Sequence, residues 1–511
     1  MRLDKLAHHP LSLQSQVPDA DLELRAIHCD SRCVDAATGF FALKGFSTDG
    51  HRFIDAALSS GAPAVFVSDP AQFARLTAKQ SPEHAVFLVP PGRQALAGLS
   101  DAIYGSPSRE LTLLGVTGTN GKTTVTHLVL EMLNALGRPA AVLGTLGSQI
   151  GDAFAGDTNT PGTHTTPEAP DIQAFLRRCV DRGIATATME VSSHGLALER
   201  THGLRFFAAA FTNLSQDHMD FHPSLEHYRE TKFRLFLEYE PRFALINEED
   251  AAGAELAGRL SRERPEIRSI RYGTQGSSQL TAANLTLTPE GARGRLCWEG
   301  NQAPFSLPLP GRFNVENFLA AAGLLLATGE TLEELALAAA SCRGAPGRFE
   351  RVNVDTPFPV VVDYAHTPHA LENLLRTARS MGNGRLMVLF GCGGGRDREK
   401  RPRMGEIADR LADHVVLCDD NPRGEDSQGI LANIAAGMVG RATANIIPDR
   451  REAIFALLDR GQPGDTVLLA GKGSEPCQEI QGVKTPFDDR QVVRDWAETR
   501  GYAGRKVTQA G

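Results

Sequence analysis

The chain has 511 residues, 41% of them hydrophobic, and carries 53 Lys and Arg against 61 Asp and Glu for a formal net charge of −8. At about 150 residues per domain that length makes roughly three folded domains; it excludes a small stapled scaffold, a disordered or fibrous chain, and a globally basic binder of nucleic acid or anionic lipid. Any polyanionic ligand must be gripped locally.

No apolar run reaches the roughly 18 residues of a membrane span, and the N-terminus MRLDKLAHHP lacks a signal-peptide core, so a cytoplasmic protein is expected. The eight Cys (29, 33, 179, 297, 342, 392, 418, 477) form no CxxC pair, which predicts reduced thiols. Cys29 and Cys33 beside His28 lack a second ligand pair, so no metal site is expected there.

From Leu24 to Tyr104, apolar runs FFAL, PAVFVSD and HAVFLVP alternate with helix-like FIDAALSSGA and QALAGLSDAIYG, predicting a small α/β unit. The pattern breaks near Gly105, and a second domain is expected to start near Arg109. Its strand candidates AAVLGTLG, ATATMEVS, FAAAFTNL and RFALINE alternate with helices, as in a parallel sheet whose ligands gather beyond the strands' C-terminal ends. Residues 278–310 switch to short alternating strands, followed by helices over 315–327 and 332–340. Beyond Cys342, strands PVVVDYA, RLMVLFGCG, HVVLCDD, ANIIPD and DTVLLAG predict a third, doubly wound α/β unit.

After strand LTLLGV comes the glycine loop TGTNGKTT (117–124), then a helix with Val125, Leu128, Val129, Met132, Leu133 and Leu136 expected on one apolar face. Strand, loop and helix in this order aim backbone N–H groups at phosphate, with Lys122 to neutralise charge and a Thr hydroxyl available to Mg²⁺. The strict Walker spacing fails, because Val116 stands where its first glycine belongs. Glu190 ends strand ATATME, and the next strand runs into Thr212 to His218, so two strands deliver polar groups to one edge. On spacing alone Lys232 is a solvated residue of an amphipathic helix. These residues predict a Mg²⁺–nucleotide enzyme of three α/β domains and leave its reaction open.

Taken in order, GVTGTNGKTT (115–124), MEVSSHGL (189–196), TNLSQDHMDFH (212–222), GRFNVEN (311–317), GRFERV (347–352), DYAHTPHAL (363–371), GCGGGRDREKRPRM (391–404), DDNPR (419–423) and AGKGSE (470–475) resemble the Mur ligase family, amide-forming enzymes of bacterial cell-wall precursor synthesis. The resemblance implies a three-domain architecture: an N-terminal UDP-substrate domain (1–108), a central ATP-binding P-loop domain with a parallel sheet (109–344) and a C-terminal Rossmann-like domain for the incoming amino acid (345–511). It is strongest to the branch that joins meso-diaminopimelate to UDP-N-acetylmuramoyl-L-alanyl-D-glutamate through an acyl phosphate, with ATP and Mg²⁺, as a monomer.

Residue by residue, the resemblance implies that Gly118, Thr119, Asn120, Gly121, Lys122, Thr123 and Thr124 cradle ATP, with Asn314, Asp363 and His366 around the nucleoside. Thr124 and Glu190 match ligands of one Mg²⁺, and His218 a ligand of a second. Lys232 matches a lysine carbamylated by CO₂, whose anion faces that second ion, and Lys122, Lys232 and His218 form the catalytic set. Ser31 and His51 match contacts to UDP; Thr165, Thr166, Ser192 and Arg200 match contacts to the muramoyl peptide. Arg401, Asp420, Asn421, Pro422, Arg423, Gly471 and Glu475 match contacts to the amino acid, with Arg423 suited to grip its distal carboxylate. His164 and Leu198 stand where some members of the family have Asn and Gln, so those two contacts are not carried over; Gly395 and Ser474 stand where Asp and His are common, so the resemblance does not fix the local geometry there. Folylpolyglutamate synthetase is the nearest alternative enzyme, disfavoured by the first-domain DSR and DGH segments and by DNPR; a nucleotide-gated binding or transport ATPase is the alternative of another class.

Overall fold

The computed structural model describes residues 1–18, 23–45, 48–78, 83–151, 153–154, 164–275, 278–380 and 382–502. Three principal sheets follow one another along the chain. The first has parallel strands Ala26–His28, Thr38–Phe41, Ala64–Val67 and Ala85–Leu88, with Gln14–Gln16 antiparallel at the far edge. Its inner strands are buried on both faces, which is why FFAL and AVFV read as unbroken apolar runs rather than alternating ones.

The second sheet has eleven strands. Its parallel heart, in spatial order, is Arg268–Gly273, Phe243–Asn247, Ala208–Phe211, Thr112–Thr117, Thr186–Glu190 and Ala140–Gly144. The strands expected over 278–310 extend this same sheet: Leu280–Thr288 pairs with Arg268–Gly273, and Gly291–Trp298 and Asn301–Leu307 follow as an antiparallel meander. The phosphate-loop strand Thr112–Thr117 therefore lies between the strands that end in Glu190 and Phe211. All three deliver their following loops to one edge, the ligand side of an open parallel sheet.

The helix after the phosphate loop, Lys122–Ala135, differs from the one-faced expectation. It is buried nearly all round from Thr123 to Leu133, because helix Arg312–Thr328 packs alongside it on the same sheet, while Leu136 is the half-buried C-cap. The third sheet orders Glu350–Arg351, Val360–Asp363, Thr466–Ala470, Leu386–Phe390, His414–Leu417 and Thr443–Ile446, parallel except for the first. Separate apolar cores cover its two faces, the doubly wound arrangement the sequence predicts. A hairpin, Cys477–Ile480 with Val483–Pro486, was not anticipated. All eight cysteines are free thiols. Among the described residues no helix is long and apolar enough to cross a membrane.

Candidate active site

The phosphate loop is shaped by contacts that exclude side chains. Gly118 has φ +146°, and a Cβ there would overlap the Thr212 hydroxyl. The N–H groups of Thr119 and Asn120 donate to the backbone oxygen and Oδ1 of Asn213, at 2.8 and 2.9 Å, so the next strand's end braces the loop. Lys122 Nζ folds back onto the carbonyls of Gly118 and Thr119, both at 2.9 Å. Burial lowers its pKa, with Glu190 acting against that shift.

Glu190 is buried at its strand end, where Oε1 accepts from Thr145 N at 2.7 Å and Oε2 from the Thr123 hydroxyl at 3.0 Å and the Thr145 hydroxyl at 3.2 Å. Gly144 makes room for it, since a Cβ there would overlap the carboxylate. The hydroxyl beside Glu190 thus belongs to Thr123, directly after Lys122, where phosphate loops place their metal-facing hydroxyl. Thr124, the residue matched from the sequence, borders the larger of two cavities and makes no hydrogen bond to Glu190 among the described residues, because one helical step turns it away.

Lys232 corrects its spacing-based reading. It is buried at 1% exposure, with Nζ donating to Gly118 O at 2.8 Å and lying 4.5 Å from the Tyr228 ring centroid. Helix Leu225–Leu237 packs against its neighbours on the Lys232 side, so burial first, then Lys122, drives its pKa well below the usual lysine value. His218, at φ +57°, presents an imidazole held at about pKa 4, mainly by desolvation. It lies 3.4 Å from Asp217, whose second neighbour is His366 at 3.8 Å. Desolvation would raise Asp217, but His218, His366 and Lys400 outweigh it and hold its carboxyl at about 2.

Two cavities open beside these groups. One of about 660 Å³ is bordered by Asn120, Gly121, Thr124, Asn317, Arg348, Asp363 and Tyr364. Asp363 is fixed by N–H groups of Phe349 and Ala365, at 2.6 and 2.7 Å. Asn314 is not on this wall: it is buried and donates to Pro310 O at 2.8 Å, holding the start of its helix, and Asn317 faces the cavity one turn later. The second cavity, about 400 Å³, is bordered by Thr165, Ser192, Arg200, His218, His366, Asp420, Asn421, Arg423, Gly471 and Glu475. His366 therefore belongs to this cavity rather than to that of Asp363. Tyr364 borders both.

Thr166 is buried behind Ser192, its hydroxyl donating to Glu190 O and accepting from Ser192 N, both at 2.9 Å. Arg200 is held by Thr166 O and Glu168, each at 2.9 Å, and its buried Nε has no partner among the described residues. Arg423, at φ +53°, donates to Gly394 O at 2.9 Å. Arg401 does not reach the cavity: fully buried, it spends its fork on both oxygens of Glu425, at 2.9 Å each, and holds that carboxyl at about pKa 2. Ser31 and His51 follow the adjacent parallel strands Ala26–His28 and Thr38–Phe41 and border neither cavity; His51 is tied to Asp49 at 2.7 Å. Pro422 carries the turn between Asn421 and Arg423.

Besides Asn317, further residues outside the predicted set join the site. Arg348 donates to the Thr123 hydroxyl at 3.2 Å and lies 4.2 Å from the Tyr364 ring centroid. Asp217, Tyr364 and Arg348 all lie inside the motifs SQDH, DYAH and GRFER, so the signal was present although their partners were not visible.

Among the described residues no three His, Cys, Asp or Glu side chains gather as a metal cage. Magnesium does not ask for one: it keeps several waters and phosphate oxygens and takes one or two protein ligands. A buried carboxylate beside a hydroxyl, and an uncharged imidazole, fit that need.

Sequence models of this family match residues 23–104 (Mur ligase family, catalytic domain), 116–325 (Mur ligase middle domain) and 347–473 (Mur ligase, glutamate ligase domain). The UDP-N-acetylmuramoyl-L-alanyl-D-glutamate--2,6-diaminopimelate ligase of Geobacillus thermodenitrificans is 41% identical over 480 residues, 92% of this chain and 94% of that one. The protein of the same name from a Synechococcus strain is 43% identical over 492 residues, 93% and 96% of the two chains. A solved structure of a ligase of that name superposes with TM-score 0.67 at 33% identity, covering 98% of this chain and all of that one. With the three domains of one family matched in order along nearly its whole length, the chain belongs to the Mur ligase family.

Proposed function

We propose that this Mur ligase is an ATP-dependent amide ligase joining meso-diaminopimelate to the D-glutamyl side-chain carboxylate of UDP-N-acetylmuramoyl-L-alanyl-D-glutamate. The observation that carries the reading is the 400 Å³ cavity, where Thr165, Ser192 and Arg200 of the central domain face Arg423, Asp420 and Glu475 of the C-terminal domain. Acceptor and amine chemistry thus share one space, with the phosphate loop alongside.

In this reading ATP lies in the larger cavity and transfers its γ-phosphoryl group to the carboxylate, forming an acyl phosphate and ADP. The amine of diaminopimelate attacks the acyl carbon; a C–N bond forms, the C–O bond to phosphate breaks, and the amine proton leaves. Lys122 and the loop N–H groups offset the repulsion between the two anions. Magnesium, when bound, would be held by Glu190 and Thr123 and by His218, and supplies further positive charge between carboxylate and phosphate. In its neutral form the Lys232 amine has a lone pair for CO₂: an N–C bond forms, a proton leaves the nitrogen, and the buried amine becomes an anionic carbamate. Ser31 and His51, on the first sheet's ligand edge, contact the UDP group. The reading also includes domain limits at 1–108, 109–344 and 345–511, a cytoplasmic location and a monomer.

The test is ADP release in the presence of the UDP-muramoyl dipeptide while the amino acid is varied. Release that depends on both substrates and prefers diaminopimelate is expected; ATP turnover indifferent to the amino acid would refute the reading. Lys122→Ala should lower acyl phosphate, trapped as hydroxamate by hydroxylamine, by orders of magnitude.

A further inference from the structure

Under the loop that carries Gly471 and Glu475 lies a cation that neither borders a cavity nor has a role in the chemistry above. Lys472 is fully buried, at 0% exposure. Its Nζ donates to Glu475 Oε2 at 3.0 Å, to Asn421 Oδ1 at 3.2 Å and to Cys477 O at 2.8 Å, so all three ammonium donors are used. Asn421 Nδ2 donates to the same Oε2 at 2.8 Å, and Glu479 N donates to Asn421 Oδ1 at 3.0 Å. Both side-chain donors thus converge on one oxygen of Glu475. Its other oxygen, Oε1, has no partner among the described residues, although Glu475 borders the cavity and is one-third exposed.

A glutamate at the end of a loop would ordinarily sample several rotamers and offer either oxygen. Here a buried charge-assisted bond and an amide clamp fix one oxygen from beneath and leave the second toward the ligand space. The backbone fixes the clamp in turn: Gly473, at φ +54°, would set a Cβ 2.9 Å from Tyr364 Cβ, so the loop lies tight on the wall between the cavities. The cation also has a charge to balance, because the carboxylates of Asp420 and Glu475 border the same cavity.

We infer that Lys472 is a positioning residue for the amine substrate: with Asn421 it pins Oε2 of Glu475 and so aims Oε1 at an ammonium group of the incoming amino acid. The inference rests on the ligase reading for the identity of that amino acid. Removing the cation should therefore weaken the amino acid and leave the nucleotide and the UDP-linked substrate untouched.

The experiment is steady-state kinetics of Lys472→Met and Lys472→Arg in the full-length protein, each substrate varied in turn, with hydroxylamine trapping of the acyl phosphate as a second readout. Lys472→Met should raise the KM for diaminopimelate at least about tenfold while the KM for ATP, the KM for the UDP-linked substrate and the trapped acyl phosphate stay within about twofold. Lys472→Arg, which keeps the charge, should recover part of the loss. An unchanged KM for diaminopimelate in Lys472→Met would overturn the inference, as would a parallel fall in acyl phosphate, which would show a structural role for the whole domain. If the parent protein itself showed no diaminopimelate-dependent ADP release, the ligase reading would fail instead.

Discussion

The Lys232 side chain would be an ammonium ion in water; enclosed by protein, with Lys122 close by and a carbonyl and an aromatic ring as its contacts, it is driven toward the neutral amine. If the amine acts as its carbamate, Lys232→Ala should nearly abolish ligation, and acetate or formate in solution should restore part of it; full activity in the unrescued variant would contradict the assignment. Arg423 makes a different demand. Lysine lacks the second carboxylate of diaminopimelate, and leaving a charge-assisted pair unmade costs about 2–5 kcal/mol. Diaminopimelate should therefore be preferred about 30-fold or more, at 1.4 kcal/mol per factor of ten. Arg423→Ala should erase most of that preference by weakening diaminopimelate, which the ratio of kcat/KM for the two amino acids reads directly. An unchanged ratio would remove Arg423 from recognition. The sequence made Lys122, Glu190 and Arg423 visible because each sits in a short motif at an element's end. It hid the burial of Lys232 and the pairing of Arg401 with Glu425, because those depend on groups brought together only by the fold: Gly118 lies 114 positions from Lys232, and Glu425 lies 24 from Arg401.

Helix Lys122–Ala135 carries the phosphate loop at one end and a control on the interdomain link near the other. Glu131 accepts from Arg343 N at 3.2 and 3.1 Å and from Gly344 N at 3.1 Å, and burial pushes its carboxyl up to about 7. A carboxyl whose pKa is raised on folding favours the folded state below its unfolded value near 4.5, and loses that advantage as pH rises through 7. The cost above pH 7 is on the order of 3 kcal/mol at most. Glu131→Gln keeps an acceptor oxygen without the charge, so it should raise the unfolding midpoint at pH 8 and change it little at pH 5; thermal or urea unfolding at the two pH values checks this. The reverse pattern would mean that the carboxylate form is the one the linker holds. Most strands of the parallel sheets were readable, because buried strands are continuous apolar runs bounded by Gly, Pro and Asp; Ala26–His28, only three residues long, and Arg268–Gly273, interrupted by two arginines, were not. The hairpin Cys477–Ile480 with Val483–Pro486 was not readable either, since five of its eight strand residues are exposed, Ile480 and Val483 among them, and no buried apolar run marks it.

Across the whole molecule, the central and C-terminal domains meet at the Phe313–Phe349 ring pair and through polar contacts: Arg348 on Thr123, His366 near Asp217, Arg396 near Asp220 at 3.5 Å and Arg403 on Gln216 at 2.7 Å. The first domain is joined to the central one in the same way, by Arg93 on Glu168 and His28 near Asp171 at 3.6 Å. Such interfaces are those of domains that move. Exposed ion pairs are screened by salt, so the affinity for the UDP-linked substrate, which draws on both interfaces, should fall as ionic strength rises. A KM for that substrate that is flat between low and high salt would argue that the domains are locked.

Tyr364 is the one described residue that borders both cavities, so the two spaces meet at this residue. That arrangement has a kinetic reading. Product leaving one compartment need not wait for the other to empty, and a ligand seated in one does not fill the other. ADP should therefore compete with ATP yet act as a noncompetitive inhibitor against diaminopimelate, and initial-rate patterns with each substrate varied will show it. Competition between ADP and diaminopimelate would mean that the two ligands occupy overlapping space beside Tyr364.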